Sequence, residues 1–171
     1  MIRIEIPQLS DLAALTAVAI ETFIQSHGHS ASEKDVNNYL QANYTEEIFK
    51  SELNNPSNVY RVLFFENEMA GYSKISYNQA ISAVNSTRIC KLERIYVLEK
   101  FHGQGLGEEL FNYNIALSKA NGQIGIWLFT WIENKRAVRF YEKMGFEIVG
   151  SHDFRLSATH TNPNHQMYLA F

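Results

Sequence analysis

Apolar residues alternate with polar ones at the start of the chain. Ile2, Ile4 and Ile6 flank Arg3 and Glu5, the two-residue period of a half-buried strand, and Pro7 ends it. The period then lengthens. Leu12, Leu15, Val18, Ala19 and Phe23 recur at helical spacing behind Ser10 or Asp11 as cap, and the pattern runs down at Ser26-His27-Gly28-His29. Ser32-Glu33-Lys34-Asp35 reads as a capping box with Asp in its last position, ahead of Val36, Tyr39 and Leu40. Thr45-Glu46-Glu47 opens a further helix carrying Ile48, Phe49 and Leu53, which Asn54-Asn55-Pro56 stops. Residues 59–65 then predict a strand, Glu66-Asn67-Glu68 a turn and residues 69–77 the partner strand of a hairpin. Residues 78–87 form a polar connection.

The third long strand, residues 88–98, breaks its own alternation. Cys90 and Leu92 share one parity, whereas Ile95 and Val97 share the other. A β-bulge at Glu93-Arg94 accounts for the change and would free backbone groups beyond it; a strand buried on both faces is the other account. A glycine turn follows, His102-Gly103-Gln104-Gly105-Leu106-Gly107, and opens a helix with Leu106, Leu110, Tyr113 and Leu117 on one stripe. Asn121-Gly122 ends that helix, and residues 124–131 read as a buried strand. Strand, helix and strand over this length make a βαβ unit, so the two strands should be parallel. Asn134 then caps a helix that Gly145 closes. Asn134 and Tyr141 stand nearly two turns apart on one face of it, about 10 Å from each other. Residues 146–149 and 166–170 finish as strands, antiparallel and joined by a long polar loop.

Composition narrows the function classes. The 171 residues suffice for one domain, 1–171, with a sizeable core. A net charge of −3 without any basic block argues against nucleic acid as partner. The single cysteine, Cys90, excludes a disulfide framework or a cysteine metal cluster. His27 and His29 lie two apart in a Gly/Ser loop without a third ligand nearby, so no metal is expected there. The N-terminus lacks the apolar core of a signal peptide and no run reaches membrane-spanning length, so a cytoplasmic protein without membrane attachment is the default expectation. The aromatic-rich late strands suit either a homodimer contact or the core.

The glycine turn carries the chemistry. Glycines at alternate positions let a backbone approach a ligand closely, and a helix start adds unpaired N–H groups and a positive dipole end. Together they suit a phosphate or pyrophosphate, although a purely structural tight turn also fits the pattern. It is neither a P-loop, since no Gly-Lys-Ser/Thr follows, nor a dinucleotide fingerprint.

Arg94-Ile95-Tyr96-Val97, then the turn from His102 to Gly107, then Asn134…Ala137…Phe140-Tyr141…Met144-Gly145-Phe146 resemble the successive motifs of the GNAT superfamily of acyl-CoA-dependent N-acyltransferases. Local stretches such as Trp131-Ile132-Glu133-Asn134 and Gly150-Ser151-His152-Asp153-Phe154 are similar to PaiA-type spermidine/spermine N-acetyltransferases. The resemblance implies an α/β (α+β) fold: a mixed, mostly antiparallel sheet with a splayed central parallel strand pair flanked by helices. It also implies acetyl-CoA as cosubstrate and a primary amine, such as a polyamine, as small-molecule acceptor. The pyrophosphate would then lie on His102, Gly103, Gln104, Gly105, Leu106 and Gly107. The pantetheine arm would pair with Ile95, Tyr96 and Val97 like an added strand, with Asn134, Tyr141 and Lys143 as further contacts. Tyr141 is the expected acid for the leaving thiolate, the Val97 N–H the oxyanion donor, and Glu93 the base. Glu93 could equally be a plain partner of Arg94 or Lys91. His102 departs from the family's usual Arg or Gln, and a neutral imidazole makes a weaker phosphate contact. His27, His29, Tyr39 and Asp153 are candidates for the acceptor pocket. A protein N-terminal acetyltransferase, and a non-catalytic acyl-CoA sensor, are the alternatives.

Overall fold

The computed structural model describes residues 1–171. Local capping chemistry sets the early helices. Leu9–Asp11 form one 3-10 turn that leads into α1, Leu12–His27. The Ser32 hydroxyl accepts the Asp35 N–H at the head of α2, Glu33–Asn43, and Thr45 accepts the Ile48 N–H at the head of α3, Glu46–Leu53. The strands are β1 Ile2–Glu5, β2 Val59–Phe65, β3 Glu68–Ser76, β4 Cys90–Val97, β5 Gly125–Trp131, β6 Glu147–Arg155 and β7 Thr161–Ala170. Helices α4, Leu106–Ala120, and α5, Lys135–Lys143, complete the chain. The seven strands follow the hydrogen-bonded order β1-β2-β3-β4-β5-β7-β6. β4 and β5 are parallel, with Cys90 opposite Ile126 and Lys91 opposite Trp127, while β1–β2, β2–β3, β5–β7 and β6–β7 are antiparallel. No helix is long and apolar enough to cross a membrane.

Two compact units share the chain, and both β4 and α4 contribute to each. The first comprises Met1–Ile75 and Arg94–Asn114, the second Ser76–Glu93 and Ile115–Phe171. In the first unit Leu63, Ala70, Leu106 and Leu110 form a buried cluster, against which Ile4, Phe65, Ile95, Val97 and Phe101 pack. Glu66 and Asn67 turn the β2–β3 hairpin with φ of 49° and 71°, the left-handed pair that a two-residue hairpin requires. The register of that hairpin slips between Leu63 and Phe64, which leaves Ala70 as the extra residue. The Ala70 carbonyl accepts the Leu98 N–H at 2.8 Å, tying β3 to the end of β4. Next to it, a Cβ on Gly71 would lie 2.4 Å from the Tyr96 carbonyl oxygen and 3.1 Å from the Val97 Cα, so only glycine lets the β4 backbone come this close.

In the second unit Cys90 is fully buried and donates from its Sγ to the Ser118 hydroxyl of α4. That contact bears on the break in alternation along β4. Cys90 meets α4, and so do Ile95 and Val97, although strict alternation would set Cys90 on the opposite face from them. The side-chain parity therefore shifts once between Cys90 and Ile95.

Three expectations need correction. Ile6 lies outside β1 and is 62% exposed, because the strand ends at Glu5. Tyr113 is exposed, with Arg61 over its ring, whereas Asn114 and Ser118 are fully buried. The buried face of α4 centres on Leu110 and Asn114, where Asn114 exchanges hydrogen bonds with Ser73 and donates to the Leu110 carbonyl, so buried polar residues mask the stripe. Residues 150–155 and 161–166 belong to β6 and β7, leaving only residues 156–160 as connection. β6 is an edge strand with a mostly exposed, polar sequence, so no apolar alternation marks it.

Replacing Gly71 with Ala should destabilise the protein by about 1–3 kcal/mol, since backbone rather than a flexible side chain meets the new methyl. Denaturant unfolding checks this; an unchanged midpoint would mean that β4 can retreat freely.

Candidate active site

β4 runs straight into the glycine turn. After Val97 a 3-10 turn, Glu99–Phe101, delivers His102, whose Nε2 lies 2.7 Å from the Val97 carbonyl oxygen. One nitrogen of that ring therefore ties the turn back to the strand. Gly103 and Gly105 have φ of 81° and 78°, and Cβ atoms on Gly103, Gly105 or Gly107 would meet nothing within 4 Å. The turn faces open space, and the N–H groups at the start of α4 follow directly. Ile95, Val97 and Leu106 share the apolar cluster beneath it, so their side chains anchor the backbone that the turn presents.

Arg94 and Tyr96 face the aromatic residues of α1–α3 and β3. Tyr96 lies 5.9 Å from Tyr72 and 6.4 Å from His27, ring to ring. Phe23 stacks on His27 at 5.0 Å and on Tyr39 at 5.1 Å, so two of the four acceptor-pocket candidates are brought together. His29 is exposed in the loop after α1, and Asp153 is exposed on β6 opposite Pro163. Burial, with a smaller repulsion from His29, pulls the His27 imidazole down to about 4.

A polar network escaped the reading of the sequence. Glu52 on α3 receives the Tyr60 hydroxyl, Lys74 at 3.1 Å and Arg94 at 3.3 Å, all on its Oε2. Burial pushes the Glu52 carboxyl up, but Arg94, Tyr60 and Lys74 outweigh it and hold the carboxyl below the usual range. The one available signal was Arg94 itself, a charge on the same parity as Tyr96 at the head of the apolar run Ile95-Tyr96-Val97-Leu98.

In the second unit Glu93 bonds the Lys91 ammonium at 2.8 Å, and that ammonium sits 5.2 and 5.4 Å from the Trp127 and Phe129 ring centres. Asn134 caps α5 with its Oδ1 on the Ala137 N–H, which leaves its amide nitrogen as the donor for other partners. Tyr141, on the same helix, is 9% exposed between Phe140 and Phe146. Burial alone lifts its hydroxyl well above the usual phenol range, so it stays protonated. Lys143 is exposed in the last turn of α5.

The model of the acetyltransferase (GNAT) family matches residues 19–146, well over half of the chain. The chain belongs to this acetyltransferase family. A relative from Lactobacillus delbrueckii subsp. lactis, named as an uncharacterized N-acetyltransferase in the pepI 3′ region, is 28% identical over 91% of each chain. The spermine/spermidine N(1)-acetyltransferase of Bacillus subtilis is 26% identical over 54% of this chain and 61% of its own. Among solved structures, the PaiA N-acetyltransferase of Thermoplasma acidophilum, in complex with coenzyme A, superposes with a TM-score of 0.80 at 19% identity, covering 100% of this chain and 99% of its own. The strand order with one parallel pair is thus the acetyltransferase fold.

The depressed His27 sets a pH dependence. The unfolded chain takes up a proton near pH 6.5, whereas the folded protein resists until about 4. Stability carried by neutral His27 is therefore complete above about pH 6.5 and lost as the pH falls toward about 4. In thermal unfolding across that window, His27→Leu should flatten the slope; a slope equal to the wild type would mean that His27 titrates normally.

Proposed function

We propose that the protein transfers an acetyl group from acetyl-CoA to a primary amine by direct attack, as one acyltransferase domain over residues 1–171. The observation that carries this reading is the open glycine turn from Gly103 to Gly107, set between β4 and α4 with its backbone facing free space. Those N–H groups suit a pyrophosphate, since a phosphate oxygen can reach them without meeting any Cβ. His102 holds the turn against the strand, while Gln104 and Leu106 supply further backbone. Ile95, Tyr96 and Val97 offer strand hydrogen bonds to the pantetheine amides, joined by the Asn134 amide, Tyr141 and Lys143. Acetyl-CoA, when bound, supplies an activated acyl carbon and a thiolate leaving group; the PaiA structure, which is in complex with coenzyme A, supports a cofactor of this kind.

This chain's residues do the rest. Glu93 takes a proton from the alkylammonium, directly or through a water, in competition with Lys91 for the same carboxylate. The Val97 N–H donates to the oxygen that gains charge. Tyr141, kept protonated by its burial, donates to the departing sulfur.

For the acceptor, a polyamine such as spermidine or spermine has the support of the Bacillus subtilis relative's name and of the PaiA structure. One observation favours a second reading, a protein N-terminus or another small amine as acceptor: Glu52 and Glu93, which could receive a polycation, already bond Arg94, Lys74 and Lys91.

Thiol release from acetyl-CoA over a set of amines tests the activity. Tyr141→Phe should lower kcat by about a hundred-fold while CoA affinity measured by calorimetry stays within about two-fold. Equal turnover would remove Tyr141 from the chemistry, and no turnover with any amine would favour a sensor.

A further inference from the structure

The first unit holds a cationic cluster that none of these steps uses. Arg94 and Lys74 share the single carboxylate of Glu52, which leaves one positive charge in excess. The side chains are neither sealed nor on the surface, at 18%, 13% and 21% exposure for Arg94, Lys74 and Glu52. Arg94 makes its hydrogen bonds to Glu52 and to the Tyr60 hydroxyl, at 3.3 and 3.0 Å, from Nη1 alone, so Nη2 and Nε retain donors for a ligand. Its guanidinium lies over Tyr44 at 5.1 Å and Phe49 at 5.7 Å, which fixes the plane of the fork.

A cluster serving packing alone would balance its charge, because an uncompensated cation in such a site is costly. In the reduced dielectric between aromatic rings, the excess charge attracts an anion and repels a second cation. The place also matters. Arg94 directly precedes Ile95–Val97, and it shares its face of β4 with Tyr96.

We propose that Arg94 and Lys74 bind a carboxylate of the acceptor, so that the preferred substrate is a primary amine that carries an acid group, in the manner of an ω-amino acid. The step from bound amine to substrate rests on the acetyl-transfer reading above. A guanidinium fork and an ammonium meet a carboxylate through charge-assisted hydrogen bonds, and they distinguish it from its neutral amide. A polyamine would instead add cations to a cluster already in positive excess.

Calorimetric titrations, with and without saturating CoA, compare short unbranched ω-amino acids with their primary amides and with spermidine. Each acid should bind about ten-fold or more tightly than its amide, and more tightly than spermidine. Lys74→Met should remove most of the gap between acid and amide, and Arg94→Lys, which keeps the charge and loses the fork, should narrow it less. Equal binding of acid and amide, tighter binding of spermidine, no binding of any acid, or an undiminished gap in Lys74→Met would each overturn the proposal. A preference for acids without thiol release from acetyl-CoA would leave the carboxylate site standing and sink the transferase reading instead.

Discussion

The change of face along β4 governs what the strand can present. A strand alternates its side chains with a strict period of two, so a single shift exchanges inside and outside for every residue beyond it. Before the shift Cys90 reaches α4; after it Ile95 and Val97 do. Arg94 and Tyr96 are thereby turned toward the rings of Tyr44, Tyr72 and His27. Neighbouring elements accommodate the same strand. Gly71 yields the space that its carbonyl occupies, Ala70 bulges to accept Leu98, and the His102 ring reaches the Val97 carbonyl.

Such a strand is surrounded by two kinds of contact that do different work. The apolar cluster of Leu63, Ala70, Leu106 and Leu110 supplies stability, at roughly 1.5–3 kcal/mol for each large side chain taken from water. The ionic group around Glu52 contributes much less on balance, since desolvation offsets most of the attraction between buried charges. What it supplies is definition: three donors converge on one oxygen and hold α3, β2, β3 and β4 in one arrangement.

Much of this was legible in the residues. Capping side chains and glycines act over three or four positions, so Ser32, Thr45, Asn134 and the turn before α4 announced their helices. The change of parity between Cys90 and Ile95 was legible for the same reason, being a local count. The partners of Arg94 were not, because Glu52 and Lys74 lie 42 and 20 positions away and no period links them. The β6–β7 ribbon stayed hidden because an exposed edge strand needs no apolar face, and its polar run reads like a loop. Tyr113 misled because an aromatic at helical spacing looks buried, while the burial of Asn114 depends on Ser73, far away in sequence.

Cys90 has a practical consequence for anyone handling the molecule. The only sulfhydryl of the chain is fully enclosed, and burial, despite the Ser118 hydrogen bond, pushes it up to about 11. Alkylating and disulfide reagents attack thiolates, so in the native protein they have almost nothing to attack. Its labelling is therefore a clock for the opening of the strand and helix that enclose it, readable by mass without introducing any foreign probe.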